Sequence, residues 1–280
     1  MRNRFFQRGL FYFNREGSIL NLKYATLKTE HSITTVTLNN PPANTLSSSC
    51  IAELRSLFRE LARDEETKAI IITGEGRFFV AGADIKEFVS KLGDEKQGLA
   101  LAKGGQALCD EIEASNKPVI AAINGPALGG GLELAMSCHF RIVSDDATLG
   151  LPELKLGLIP AFGGTQRLRN ITDTATALDL ILTGRTLSAQ EAVELNIAQM
   201  AVKGEELMKT AAGVALSFIE GKSMTSVRRA VECVVQGASE SMEQALERER
   251  NRFAELFVTS DAKEGIHAFV EKRKPNFHHS

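Results

Sequence analysis

Gly129-Gly130-Gly131-Leu132-Glu133-Leu134-Ala135-Met136 closely follows the apolar run Pro118-Val119-Ile120-Ala121-Ala122-Ile123. A run of that length and composition suits a strand buried on both faces, and Gly125 ends it. The glycines then open a stretch that reads as a helix. The first amides of a helix have no internal partner and lie at the positive end of its dipole, and glycine lets a ligand approach the backbone closely. Such a helix start can hold an anion or a developing oxyanion. Two other glycine motifs are excluded. No Lys-Ser or Lys-Thr follows, as a phosphate-cradling loop requires, and Gly125 to Gly129 leaves three residues between, unlike GxGxxG. Close helix–strand packing without a ligand explains the same glycines, so the stretch alone leaves both readings open.

Glu133 tips the balance toward chemistry. It stands on the helix among Leu132, Leu134, Ala135 and Met136, and acids in such company are rarely buried without a reason. A second glutamate, Glu153, follows Pro152 in the apolar Leu151-Pro152-Glu153-Leu154. Two half-buried carboxylates suit an acid/base pair, although two surface acids at element ends would read the same way. In Phe78-Phe79-Val80-Ala81-Gly82-Ala83-Asp84-Ile85-Lys86, Ala83 is placed to offer its amide to a substrate oxygen. A tight turn with Asp84 capping a helix is a compatible reading.

Working outward, Ile33–Leu38 alternates and is β-branched, a strand. Apolar residues at Ile51, Leu54, Leu57, Phe58 and Leu61 mark one face of a helix over Ser48–Ala62. Ala69-Ile70-Ile71-Ile72-Thr73 is a second doubly buried strand, Leu99–Ala114 a second amphipathic helix, and Phe140–Val143 and Ala147–Gly150 two further strands. The alternation predicts an α/β architecture. Ser188-Ala189-Gln190-Glu191 is a capping box. From Gly204 the pattern is helical and charged. The chain thus divides into an extension (1–23), an α/β core (24–203) and a C-terminal helical region (204–280).

The extension carries Arg2, Arg4, Arg8, Arg15 and Lys23 against Glu16 alone. It is excluded from the fold, as a targeting segment or an arm without a folding role. The 280 residues have 43% hydrophobic and 24% charged content, ordinary for a globular protein. A formal net charge of −2 argues against nucleic-acid binding through bulk charge. No apolar run reaches the roughly 18 residues of a membrane span. The four cysteines are far apart, and the histidines lack ligand spacing. No disulfide framework or metal site is expected, and the expected compartment is the cytoplasm. His139 reads as a core or edge histidine and His278-His279 as an exposed tail.

Five segments taken in order resemble the enoyl-CoA hydratase/isomerase (crotonase) family: Asn40-Pro41-Pro42-Ala43-Asn44, Gly82-Ala83-Asp84-Ile85-Lys86, Gly129-Gly130-Gly131-Leu132-Glu133, Leu151-Pro152-Glu153 and Gly163-Gly164-Thr165-Gln166-Arg167. The similarity runs from Tyr24 to the C-terminus and is closest to bacterial fatty-acid-degradation hydratases. It implies a superhelix of ββα turns with a C-terminal helical region that builds trimers, paired as hexamers. It also implies an oxyanion hole from the amides of Ala83 and Gly130, with Glu133 and Glu153 holding a water beside the double bond. Coenzyme A would be part of the substrate, with no bound prosthetic group. Ala43, Ala81, Asp84, Ile85 and Lys86 would lie along the coenzyme A path, and Phe253 and Lys272 would complete the pocket from the C-terminal region. The family's frequent Lys-Ala-Leu-Asn stretch is absent near Ala43. Phe162 stands where small residues are frequent, either restricting the acyl chain or packing behind its loop.

The implied activity is hydration of trans-2-enoyl-CoA in β-oxidation. Isomerisation or another acyl-CoA lyase reaction is the nearest alternative, and a noncatalytic or RNA-binding relative the remote one. Simple isomerases of the family often keep only the second acid, so the presence of both favours hydration. An RNA-binding relative would need a basic helix, whereas these helices mix both signs.

Overall fold

A computed structural model describes residues 22–279 together with the backbone of Tyr12–Phe13 (β1) and Ile19–Leu20 (β2). These two short strands pair antiparallel. Of the extension (1–23), the other residues up to 21 lie outside the described residues. Leu22 packs on the core, and the Lys23 amide donates to Glu53 Oε2 at 2.8 Å.

Ala25–Glu30 (β3) and Ile33–Leu38 (β4) form an antiparallel pair. Ser48–Arg63 (α1) starts at Ser47, whose hydroxyl accepts from the Cys50 amide, and buries the face its spacing predicts. Ala69–Gly74 (β5) follows, then Ile85–Val89 (α2), capped by Asp84 as expected. Glu95–Glu113 (α3) begins one turn earlier than its apolar spacing suggests, because Asp94 accepts from the Lys96 and Gln97 amides. Val119–Ile123 (β6), Ala127–Leu128 (β7), Gly130–Ser137 (α4), Phe140–Ser144 (β8) and Thr148–Gly150 (β9) come next. A single 3₁₀ turn, Glu153–Leu156, leads to Gly164–Ile171 (α5), Thr174–Thr183 (α6) and Thr186–Ser188 (β10). The capping box at Ser188 and Glu191 opens Ala189–Glu194 (α7), and Met200–Val202 (β11) closes the core. Beyond Gly204 the described elements are helical: Leu207–Ile219 (α8), Met224–Gly237 (α9), Met242–Phe257 (α10) and Ser260–Val270 (α11).

Six strands form the main sheet in the order β11-β8-β6-β5-β4-β3, parallel except for β3. Its central strands alternate between two apolar layers. Ile70, Ile72, Val119, Ala121 and Ile123 face α1 and α3, while Ile71, Ile120 and Ala122 face Leu207, Ala211, Ala215 and Ile219 of α8. Each isoleucine, leucine or valine among them contributes about 1.5–3 kcal/mol on removal from water. That two-sided burial is why these strands are continuously apolar. The exposed outer half of β3, an edge strand, explains why its sequence gave no clear signal.

A smaller sheet, β10-β9-β7, stands at one end and carries the functional loops. His139 is structural. Its Nδ1 accepts from the Val119 amide at 3.0 Å, so Nε2 carries the hydrogen donated to the Glu113 carbonyl, also at 3.0 Å. The side chains of His278 and His279 are exposed, but the backbone there is anchored, both amides donating to Asp261. Among the described residues, no helix is long and apolar enough to cross a membrane.

Candidate active site

The three glycines at the start of α4 have three different jobs. Gly129 adopts φ 52° and lies under Glu153, where a Cβ would come within 2.6 Å of Oε1. Gly131 meets the loop before α2, where a Cβ would lie 2.0 Å from the Val80 carbonyl oxygen. The packing explanation is therefore correct for Gly131. Gly130 is the first residue of α4, where an amide has no acceptor within the helix.

The opposing loop is held by backbone pairing. Val80 bridges Ala127, and Ala83 bridges Leu46. Leu46 donates to the Gly82 carbonyl at 2.9 Å and Asp84 to the Leu46 carbonyl at 3.0 Å. That register leaves the Ala83 amide between them without a protein acceptor among the described residues, and the Gly130 amide has none either. The two are neighbours: a Cβ on Gly130 would lie 3.5 Å from the Ala83 nitrogen.

Glu133 follows within the first turn of α4 and is only 1% exposed. Its Oε1 accepts from the Phe162 amide at 2.8 Å and the Gly164 amide at 2.7 Å. Burial pushes its carboxyl up to about 7 against the pull of the Gly164 amide, with nearby Glu153 pushing the same way. Glu153 opens the 3₁₀ turn after β9, and burial raises its pKa too. Its Oε2 is buried without a hydrogen-bond partner. The fold thus brings together the four residues singled out in the sequence: Ala83, Gly130, Glu133 and Glu153.

The remaining candidates divide. Ala43 accepts from the Ala81 amide at 3.0 Å, so these two sit side by side at the mouth of the same loop. Asp84 accepts from the Lys86 amide and starts α2, leaving Ile85 and Lys86 exposed. Phe253 and Lys272 are not brought to the carboxylates. Phe253 is 65% exposed on α10, its ring 5.7 Å from that of Phe257, and Lys272 is exposed just after α11.

Sequence reasoning missed three contributors. Asn44 is buried, its amide group donating to the carbonyls of Glu75 at 3.0 Å and Phe78 at 2.9 Å, which ties the Ala43 loop to the Ala83 loop. The amides of Phe162 and Gly164 are backbone groups 29 and 31 residues from Glu133, with no side-chain signature. The Phe162 ring, 5% exposed, fits against Gly105 of α3 and Gly130 of α4. It packs behind the loop rather than standing free.

A buried and a half-buried carboxyl beside two unengaged amides make an acid/base site with a receptor for one oxygen. A model of the Enoyl-CoA hydratase/isomerase family matches residues 28–280, and the chain belongs to that family. It is 49% identical over 253 residues to a probable enoyl-CoA hydratase of Bacillus subtilis, covering 90% of this chain and 97% of that one. It is 38% identical to a short-chain-enoyl-CoA hydratase of Clostridium acetobutylicum, over 91% of this chain and 97% of the relative. A solved enoyl-CoA hydratase from Bacillus anthracis superimposes with a TM-score of 0.86 at 34% identity, covering 92% of this chain and all of that one. The crotonase fold follows from this likeness.

Proposed function

We propose that the protein hydrates trans-2-enoyl-CoA thioesters to 3-hydroxyacyl-CoA in fatty-acid β-oxidation. The observation that carries the reading is the meeting of buried Glu133 and half-buried Glu153 beside the free amides of Ala83 and Gly130. The amides receive the thioester oxygen, which draws electrons from the β-carbon and stabilises the charge that builds on that oxygen. One such donor is worth about 2.7–4 kcal/mol in the transition state.

Burial raises both carboxyls above the ordinary carboxylate range. Two amides on Glu133 favour its ionised form, whereas the unpartnered Oε2 of Glu153 favours the neutral one. Glu133 accordingly takes a proton from water as its oxygen attacks the β-carbon, and Glu153 gives its proton to the α-carbon. Coenzyme A enters as part of the substrate past Ala43, Ala81, Asp84, Ile85 and Lys86, and no prosthetic group is required.

The active form in this reading is a trimer, or a hexamer of two trimers. Exposed Phe253, Phe257, Val258, Phe269 and Val270 on and beside α10 and α11 support a buried contact there, which would also bring Phe253 and Lys272 to a coenzyme A site. A cytoplasmic location suits the bacterial relatives, although a Dictyostelium discoideum relative is named mitochondrial.

The test is the loss of enone absorbance from crotonyl-CoA with 3-hydroxybutyryl-CoA as product. Turnover of a 3-enoyl-CoA without hydration of crotonyl-CoA would replace this reading with isomerisation.

A further inference from the structure

In Gly163-Gly164-Thr165-Gln166-Arg167, the chemistry above uses a glycine amide and leaves the arginine without a role. Arg167 lies in the first turn of α5, its side chain 11% exposed. Its Nη1 donates to the Phe162 carbonyl at 2.9 Å. Its Nη2 donates to Asp110 Oδ1 and to Glu113 Oε2, each at 2.7 Å, and Nε reaches Glu113 Oε2 at 3.1 Å. Both acids belong to α3. The guanidinium crosses the turn in space only a glycine leaves open. Gly163 has φ 103°, and a Cβ there would lie 2.1 Å from Nη1. The Phe162–Gly164 turn is therefore gripped from two sides: Arg167 holds its carbonyl from outside, and Glu133 Oε1 receives its two amides from inside.

We propose that Arg167 is a positioning residue for Glu133, clamping the Phe162–Gly164 turn to α3 so that both amides stay aimed at one carboxylate oxygen. This rests on the hydratase reading above. An arginine suits the task because its planar fork spans a carbonyl and two carboxylates at once, which an ammonium cannot do. The charges around Glu133 come from each packed element. Glu153 on the 3₁₀ turn raises its pKa, Arg167 on α5 lowers it, and Cys109 on α3 is a thiol pushed up to about 12 by burial and so neutral. Asp110 and Glu113 partly balance Arg167. Removing Arg167 loosens two amide donors and withdraws a cation, and both changes disfavour ionised Glu133.

The experiment measures kcat and KM for crotonyl-CoA across about pH 5–9 in the parent, Arg167→Met and Arg167→Lys, with melting curves as a control for folding. Arg167→Met is expected to lower kcat about 10–100-fold, to leave KM within about twofold, and to move the acid limb of kcat/KM up by about one pH unit. Arg167→Lys keeps the charge and one contact, so it restores most of the limb and part of kcat. A folded Arg167→Met with the parental limb or the parental kcat overturns the proposal. If that variant does not fold, Arg167→Lys and Glu113→Gln carry the test. A lowered kcat at near-parental KM in either supports the clamp, and a parental kcat in both overturns it. A parent that hydrates no enoyl-CoA would instead remove the underlying reading, a separate and recognisable failure.

Discussion

The Gly164 amide donates to Glu133 Oε1 at 2.7 Å, and a Cβ on Gly164 would lie 2.7 Å from that same oxygen. Glycine is needed here for room. A methyl group would also meet Glu133 Cγ at 2.9 Å and Pro160 Cβ at 3.0 Å, so the carboxylate must give way. Gly164→Ala should fold and should lose about 10²-fold in kcat, the usual consequence of a misplaced catalytic group. Steady-state rates with crotonyl-CoA decide this, and a parental kcat would show that Glu133 does not need its place.

The raised Glu133 carboxyl sets the pH dependence. With a pKa of about 7, the base is lost to protonation as pH falls through that value, so kcat/KM should fall below about pH 7. A rate that stays flat down to about pH 5 would contradict ionised Glu133 as the base.

Stability should move the opposite way. Folded Glu133 titrates above the ordinary 4.5, so its favourable contribution is complete below that value and is lost as pH rises through about 7. Glu133→Gln should therefore melt higher than the parent at about pH 8, by an amount corresponding to roughly 3 kcal/mol at most, and nearly equally at about pH 4. Equal melting temperatures at both values would show that the carboxylate is not buried at a cost.

The neighbouring glycines should separate by mechanism. Gly131→Ala drives a methyl group into the Val80 carbonyl, 2.0 Å away, and should fail by unfolding. Gly130→Pro removes the amide hydrogen at a helix position that tolerates proline, and the Phe162 ring, 3.0 Å from the added Cβ, has to shift slightly to admit it. It should stay folded and lose about 10²–10³-fold in kcat. Circular dichroism and rates measured on the same preparations distinguish the two losses, and an active Gly130→Pro would take Gly130 out of the oxyanion hole.

Most of the frame was legible because burial writes itself into local pattern. Ile70–Ile72 and Val119–Ile123 are apolar on both faces because α1 and α3 cover one side of the sheet and α8 the other. Glu133 stood out as an acid inside an apolar helix. The meeting of Glu133 with Glu153 was supplied by family resemblance, since no local pattern records a contact between α4 and a 3₁₀ turn after β9. The grip of Phe162 and Gly164 on Glu133 was illegible for a deeper reason: a backbone amide has no residue identity. Short β7, with two residues, offered no periodicity, yet it pairs with β9 and bridges Val80, which fixes the loop carrying Ala83.

Lys117 gives a control away from the chemistry. It is fully buried, and Nζ donates to the carbonyls of Leu61 and Asp64 at the end of α1. Lys117→Met should cost about 1–3 kcal/mol in urea unfolding by orphaning those carbonyls, and leave kcat unchanged.

The most direct measurement is kcat for crotonyl-CoA hydration in Glu133→Gln, Glu153→Gln and the double variant. Two acids working on one water should each be worth about 10²–10⁴-fold, with the double variant little worse than the poorer single one. Full activity in either single variant would contradict the acid/base pair.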